Sequence, residues 1–416
     1  MKVSVVNLGC KVNRVESDTI AATYLQNGST LVNAAEAELI VVNTCTVTEE
    51  AEKKTRKTIR KLLRENNSAS VLVTGCAATI NPDFYRYLDD RIVLVDKHDL
   101  LSTELHGSEQ NDTHPLMRVG SYFPTRVGVK VQDGCNHSCT YCIVHVARGK
   151  AWSRPMHLVA QEVYQLAQQG VAEIVLSGID LGSYNDIDDI TDKRVNLAEL
   201  ASHLIEMLDS EGLVDTRLRI SSIEPRSLKK DFIDLLAQSD GRICRHLHLP
   251  LQSGSSRVLR EMNRPYNAND YVALVDSLKD GVGDLSFTTD VIVGFPGETD
   301  QDFEQTCHVA REVGFSKIHV FRYSKRAGTP AALRTDQIDP HLKETRAHIL
   351  LELSEELRLT YANRNSNRAE RVVVEQLGWG MSESYYKIHV DDIHEPGSVI
   401  LSTLAHSAEL EGDLHG

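Results

Sequence analysis

Three short apolar runs near the start of the chain end alike. VSVVN leads into LGC and Cys10, LIVVN into TC and Cys45, and VLVT into GC and Cys76. Each run is rich in β-branched residues and closes in a polar or glycine turn, the pattern of a strand. The cysteines stand 35 and 31 residues apart, the length of a strand–helix unit, so the pattern predicts parallel strands. Cysteines just past the carboxyl ends of parallel strands gather at one edge of a sheet, where open α/β sheets take their ligands. A fourth run, RIVLV at 91–95, is expected to complete this sheet in a first domain over residues 1–106. From 107 to 123 periodicity gives way to polar residues, Gly and Pro, which predicts a linker.

Beyond it the strand-then-helix alternation recurs about six times. TRVGVKVQ, AEIVLSG, RLRISS, RHLHLP, FTTDVIVG and KIHVFRY are the expected strands. Such units make a partial, open (β/α)6 barrel over residues 124–355, with chemistry expected at the C-terminal ends of the strands. Residues 341–366 read as one long charged helix. Residues 364–416 alternate on a period of two between glycine turns, which predicts a small β-barrel. The expected fold is therefore α/β: an N-terminal parallel sheet domain, a partial barrel and a small C-terminal β-barrel.

Composition adds limits. No apolar run reaches the roughly 20 residues of a membrane helix. The N-terminal MKVSVVNLGC has too short an apolar stretch for a signal core. A cytoplasmic protein with no membrane partner is expected. Eight cysteines in 416 residues are few for a disulfide scaffold and point to metal or catalytic chemistry. Cys244 and Cys307 lack a partner spacing and read as ordinary packed or partly exposed residues. A net charge of −14 speaks against nucleic acid when taken over the whole chain, but the charge is uneven. Helix 49–67 places Lys53, Lys57, Arg60 and Arg64 at steps of four, three and four, one basic stripe. On a lone helix, a solvated face explains such a stripe better than an RNA backbone does.

VQDGCNHSCTYC at 131–142 holds Cys135, Cys139 and Cys142, spaced CxxxCxxC. A closed zinc site wants a fourth ligand. His137 lies inside the loop and is expected to point away, and His145 is poorly spaced. An iron–sulfur cube usually takes four cysteines, so three leave one iron an open position for a chelating small molecule. CxxxCxxC with Tyr141 before the last cysteine resembles the signature of the radical S-adenosylmethionine enzymes. The resemblance implies that S-adenosylmethionine binds the open iron of a [4Fe-4S] cluster through its amino and carboxylate groups. One electron would then release a 5′-deoxyadenosyl radical. Other strand ends offer candidates to hold this cofactor. Gly178 and Gly182 stand where backbone would approach a ligand. Glu224 suits a hydroxyl or an ammonium, or else a helix start. Gln252 and Ser253 follow the fourth strand, and Gly294 and Phe295 the fifth, the ring placed to cover an adenine while a plain turn accounts equally for the glycine.

Cys10, Cys45 and Cys76 again number three, which would leave a second cluster an iron able to hold an exogenous sulfur. LGCKVNRVES, NTCTVTEEAEKKTRKTIRKL, TGCAATINPD, VQDGCNHSCTYCIV, SSIEPRSL, HLPLQSGSSRVLREMNRPY and TTDVIVGFPGET resemble the methylthiotransferases, in the right order over about residues 1–335. The resemblance implies two [4Fe-4S] clusters, and S-adenosylmethionine used both as methyl donor and as radical source. It implies replacement of C–H by C–SCH3, an RNA-binding terminal barrel of TRAM type, a tRNA substrate and an electron donor such as flavodoxin or ferredoxin. It leaves the oligomeric state open. GCKVNxxES and NTCTVTxxAExK are most similar to the branch acting on carbon 2 of N6-threonylcarbamoyladenosine beside the anticodon. Other branches modify isopentenyladenosine in tRNA or an aspartate of a ribosomal protein. Beside such a site the basic stripe reads as an RNA contact, and Arg148, Arg154, Lys325 and Arg326 as lining of the substrate entrance. Arg322 stands where the family usually has Pro, and Ser384 where it usually has Asn. Residues 364–416 carry four basic and nine acidic residues, so this domain is expected to add less to tRNA affinity than helix 49–67. A non-enzymatic iron–sulfur RNA-binding protein would need closed sets of four ligands, and a radical enzyme acting on protein is the remaining alternative.

Overall fold

The computed structural model describes residues 1–46, 48–96, 118–120, 122–188 and 192–404, so the linker expected at 107–123 lies largely outside the described residues. Strands β1 (Lys2–Asn7), β2 (Thr30–Leu31), β3 (Leu39–Thr44), β4 (Ser70–Gly75) and β5 (Ile92–Leu94) form a parallel sheet in the order β2-β1-β3-β4-β5. The two-residue edge strand β2 was not expected, being too short to show a period. Helix α1 (Lys11–Gln26) buries Ile20, Ala22 and Tyr24 against Val3, Val41 and Leu72. Helix α2 (Glu49–Glu65) buries Ile59, Leu62 and Leu63 against Ile40, Val42 and Val71. The middle strands are therefore apolar on both faces, as parallel strands between helix layers must be. Helix α2 starts where Thr48 Oγ1 accepts from Ala51 N at 3.0 Å, an N-cap. With its apolar side turned inward, Lys53, Lys57, Arg60 and Arg64 are left exposed. Short helices α3 (Cys76–Ile80) and α4 (Pro82–Arg86) follow β4.

The six expected barrel strands are present: β6 (Arg126–Lys130), β9 (Glu173–Ser177), β12 (Arg217–Ile220), β13 (His246–His248), β14 (Ser286–Val293) and β15 (Lys317–Arg322). All pair in parallel, as two triplets joined by bridges Leu218–Ile243 and Ser222–His248. Small ribbons stand on the rim, β7 (Gln132–Asp133) with β8 (Trp152–Ser153) and β10 (Asn185–Ile187) with β11 (Arg194–Asn196). Val127, Val129, Ile174, Leu176, Leu218, Ile220, Leu247 and Phe287 join one core with the surrounding helices. These are α6 (Met156–Gln168), α7 (Leu197–Ser210), α8 (Lys230–Gln238), α10 (Ala268–Val282) and α11 (Asp300–Val313); the short α5 (Val144–Arg148) and α9 (Ser256–Glu261) sit at strand ends. The alternate positions face the hollow of the barrel, and they are polar: Arg126, Lys130, Glu173, Arg219, His246, His248, Thr288, Asp290 and His319.

Two other parts of the chain close that hollow. Helix α1 lies against β6, where a Cβ on Gly128 would meet Val15 Cγ2 at 2.3 Å, so the helix approaches this closely because residue 128 has no side chain. At the other end of the chain, α12 (Pro340–Arg364) carries an antiparallel sheet of β16 (Ala369–Gln376), β17 (Trp379–Ser382), β18 (Lys387–His389) and β19 (Val399–Thr403). This sheet sits at the amino ends of the barrel strands. Fully buried Glu173 pairs with Arg217 at 2.7 Å, Arg219 at 2.5 Å and Arg126 at 3.4 Å. Arg217 and Arg219 also donate to the carbonyls of Arg371 and Ser382, each at 2.9 Å, and Arg126 pairs with Glu375 at 2.8 Å. Arg322, in the family's proline place, pairs with Glu50 at the start of α2, and Ser384 Oγ donates to Glu370. Removing Glu173 as Glu173→Ala strands three guanidiniums in this floor. The expected cost is about 3–5 kcal/mol, read as a fall in thermal midpoint, whereas Asp234→Ala in the exposed Lys230–Asp234 pair should move the midpoint little.

Candidate active site

The loop of Cys135, Cys139 and Cys142 leaves the barrel at the C-terminal end of β6. Gly134 opens it with φ at +71°, and a Cβ there would lie 2.1 Å from the Lys150 carbonyl oxygen, so no side chain fits. N–H groups converge on the sulfurs: His137 N to Cys135 Sγ and Val144 N to Cys142 Sγ at 3.4 Å, and Arg264 Nη1 to Cys139 Sγ at 3.3 Å. Such donors favour thiolates. Burial pushes the Cys135 thiol up to about 12 and the Cys142 thiol up to about 11, so a bound metal must displace these protons.

Carboxylates from the next two strand ends flank the loop. Arg264 is held by Glu224, and Asp180 Oδ2 lies 3.1 Å from His137 Nε2. The imidazole therefore does not turn away as expected. Its nitrogen, Cys135 Sγ and an Asp180 oxygen lie within 4.8 Å of one another. Asp180 Oδ1 and Glu224 Oε1 are buried acceptors with no hydrogen-bond partner among the described residues. Burial also pushes the Glu224 carboxyl up, against the pull of Arg264. Orphaned acceptors beside three thiols suit a ligand that brings ammonium and hydroxyl donors.

The other three cysteines lie at one edge of the N-terminal sheet. Registers Asn7–Asn43 and Thr44–Gly75 align the carboxyl ends of β1, β3 and β4. Cys10 is the N-cap of α1, Cys45 follows β3 directly, and Cys76 opens α3. Asn13 Nδ2 donates to Asn43 Oδ1 at 2.9 Å and to the Thr44 carbonyl at 3.0 Å, while its Oδ1 accepts from Cys10 Sγ at 3.2 Å. The same oxygen accepts from Arg148 Nη2 at 2.9 Å. Arg148 Nη1 reaches Glu16 at 3.0 Å and Asp133 at 2.9 Å. One guanidinium thus ties the Cys10 turn to the strand end that carries Cys135.

Several expected roles change in this light. Arg148 is buried in the ion network and does not line an RNA entrance. Arg326 is also buried, bound to Thr46 and to Glu52 at 3.0 Å, where it pins the turn beside Cys45. Arg154 is buried against Glu162, while Lys325 stays exposed. Phe295 is fully buried, edge-on to Tyr323 at 5.7 Å and under Arg334, so it cannot cover an adenine. Tyr141 packs against that same cluster. Gly178 and Gly182 approach protein, not ligand: their Cβ atoms would meet Gln132 Oε1 at 2.9 Å and Ser227 Cβ at 2.1 Å. Gly294 makes a turn at φ +71° beneath Lys343. Glu224 precedes a short 3₁₀ turn but gives it no side-chain cap. Gln252 holds φ at +66° and bonds through its main chain to Asp290 and Ile292, and Ser253 is buried beside Thr306. Asn13, Glu16, Asp133, Asp180 and Arg264 were not anticipated, because nothing in a polar residue's sequence position reports its burial. Of the two readings open for Cys244 and Cys307, packed or partly exposed, the structure has both buried.

A parallel barrel bearing this loop defines a radical S-adenosylmethionine protein, and residues 129–310 match the Radical SAM superfamily. Residues 2–95 match Uncharacterized protein family UPF0004. The chain is 37% identical over 386 residues to threonylcarbamoyladenosine tRNA methylthiotransferase MtaB of Bacillus subtilis (strain 168), covering 89% of this chain and 84% of the relative. It is 35% identical over 398 residues to the tRNA-2-methylthio-N(6)-dimethylallyladenosine synthase of Carboxydothermus hydrogenoformans, covering 89% and 87%. Its fold is similar to radical S-adenosylmethionine methyltransferase TsrM from Kitasatospora setae, with a TM-score of 0.56, 16% identity and coverage of 80% and 77%. The chain belongs to the radical S-adenosylmethionine methylthiotransferases. Membership implies a [4Fe-4S] cluster and S-adenosylmethionine, and the three-thiol loop with its orphaned acceptors fits that pair.

Gly75 sits at φ +91°, where an added Cβ would lie 2.6 Å from the Thr44 carbonyl oxygen. Gly75→Ala is expected to lower stability by about 1–3 kcal/mol and to reduce iron bound per chain, read by thermal unfolding and iron assay. Gly28→Ala, at φ +76° in open space, should show the smaller conformational cost and leave iron unchanged.

Proposed function

We propose that this protein is a tRNA methylthiotransferase that replaces C2–H of N6-threonylcarbamoyladenosine, beside the anticodon, with C2–SCH3. The observation that carries the reading is the pair of three-cysteine sets on either side of the Arg148, Glu16 and Asp133 network. The B. subtilis relative, a threonylcarbamoyladenosine tRNA methylthiotransferase, supports the choice of nucleoside. With [4Fe-4S] clusters on Cys135, Cys139 and Cys142 and on Cys10, Cys45 and Cys76, and with S-adenosylmethionine bound, these groups supply one-electron chemistry, sulfur and a methyl group.

The chain's own residues provide position and shelter. Asp180 and Glu224 offer acceptors to ammonium and hydroxyl groups. Arg148 fixes the spacing between the two cysteine sets, so that one base can be reached from both. Helix α1 and the C-terminal sheet wall the hollow on two sides. The exposed stripe of Lys53, Lys57, Arg60 and Arg64 starts near Cys45 and offers a track for backbone phosphates. A small electron carrier such as flavodoxin or ferredoxin reduces the protein. Among the described residues no helix is long and apolar enough to cross a membrane, and we place the reaction with tRNA in the cytoplasm.

Nucleoside mass spectrometry of bulk tRNA from cells with and without the gene tests this. Loss of methylthiolated threonylcarbamoyladenosine, with its parent accumulating, is expected, and an unchanged profile overturns the assignment. In the purified protein, Cys→Ala at Cys135, Cys139 or Cys142 should abolish cleavage of S-adenosylmethionine. The same change at Cys10, Cys45 or Cys76 should spare cleavage and stop sulfur insertion; methylthio product from Cys45→Ala would refute the two-cluster arrangement.

A further inference from the structure

The cations that reach the hollow are mostly spoken for. Arg126, Arg217 and Arg219 share Glu173, and Lys130 and Arg148 share Glu16 and Asp133. Lys11 differs. It is the first residue of α1, directly after Cys10, and it makes no salt bridge among the described residues. Its ammonium lies 4.9 Å from the Tyr385 ring centroid, and its charge is felt by His246, Asp290 and His319 on three adjacent strands. Burial keeps both of those imidazoles neutral. Asp290 is the nearby competing acceptor, and His248 Nε2 engages it at 3.3 Å.

Tyr385 seats the lysine. It comes from the C-terminal sheet, holds φ at +70° and stacks on His246 with centroids 4.5 Å apart and planes 18° apart. A tyrosine in that conformation is strained, and such strain persists where the surroundings over-determine it, often at ligand sites.

We infer that Lys11 binds the carboxylate of the substrate's amino-acid substituent and thereby selects an anionic group on N6 over an apolar one. The inference rests on the function proposed above. The base itself supports it. The reacting carbon is C2, the substituent hangs on N6, and N1 alone separates C2 from the carbon that bears N6. A sulfur donor at C2 and an anchor for the substituent must therefore be neighbours, and Cys10 and Lys11 are consecutive. An isopentenyl group would set apolar surface against this ammonium and offer it no counter-charge, which disfavours that substrate.

The test uses the reconstituted full-length protein and two anticodon stem-loop RNAs. One carries threonylcarbamoyladenosine, and the other carries its primary carboxamide, neutral and nearly the same shape. The wild-type protein is expected to favour the acid by about 10- to 100-fold in kcat/KM, the worth of one charge-assisted contact. Lys11→Gln should bring that ratio close to one, and Lys11→Arg should keep most of it, with iron and sulfide per chain as in wild type. If Lys11→Gln gives no turnover, the ratio of the dissociation constants of the two RNAs is read instead, with the same meaning. A wild type without preference, or a loss in Lys11→Gln equal on both RNAs, overturns the inference and leaves Lys11 as a counter-charge for Asp290. No methylthio product from wild type on the acid RNA sinks the underlying function instead.

Discussion

Arg148 holds the two cysteine-bearing parts of the chain in one frame. Its guanidinium is out of water and meets Glu16 on α1, Asp133 just before the Cys135 loop, and Asn13 beside Cys10. Burying such charges costs several kcal/mol per ion and is tolerated only where every partner is in place. The arrangement is therefore close to all-or-none. Separating α1 from the barrel would strip Glu16 of both its cations and leave Arg148 and Lys130 to share Asp133 alone. Lys130, bridging the same two carboxylates at 3.1 Å each, ties the network to β6 itself.

The same logic governs the hollow. Its wall is polar because the outer faces of the strands take the apolar positions, and polar groups in a closed space need partners. Glu173 satisfies three arginines, and two of these satisfy carbonyls of the C-terminal sheet. The acidic character of that sheet is thus compatible with a tight seat on the barrel. Tyr385 carries the contact inward until it meets Lys11 from the opposite end of the chain. Three parts of the sequence, each with its own core, share one polar interior.

Much of this was legible beforehand. Strands VSVVN, LIVVN and VLVT, and the six of the barrel, lie where their apolar periods put them, since a buried strand must be apolar at fixed intervals. The cysteine sets were legible for a related reason: their spacing and position after successive strands is a chemical pattern written in one dimension. The basic stripe of α2 is exposed as its helical period requires, because Ile59, Leu62 and Leu63 claim the opposite side.

Function-bearing polar residues behaved differently. Arg148, Arg154 and Arg326 resembled surface cations in the sequence and are buried partners of Glu16, Glu162 and Glu52. Phe295 looked free to stack and is enclosed by Tyr323 and Arg334. Gly178 and Gly182 looked open to a ligand and are filled by Gln132 and Ser227. Lys11 and Tyr385, 374 positions apart, carried no mark of each other. The sequence by itself determined the main sheet and barrel strands, their order along the chain and the two sets of thiols, because those depend on local period and spacing. Which charges pair, which face the hollow and which remain for a substrate was decided only by tertiary structure, because burial and partnership are set by residues far apart in the chain.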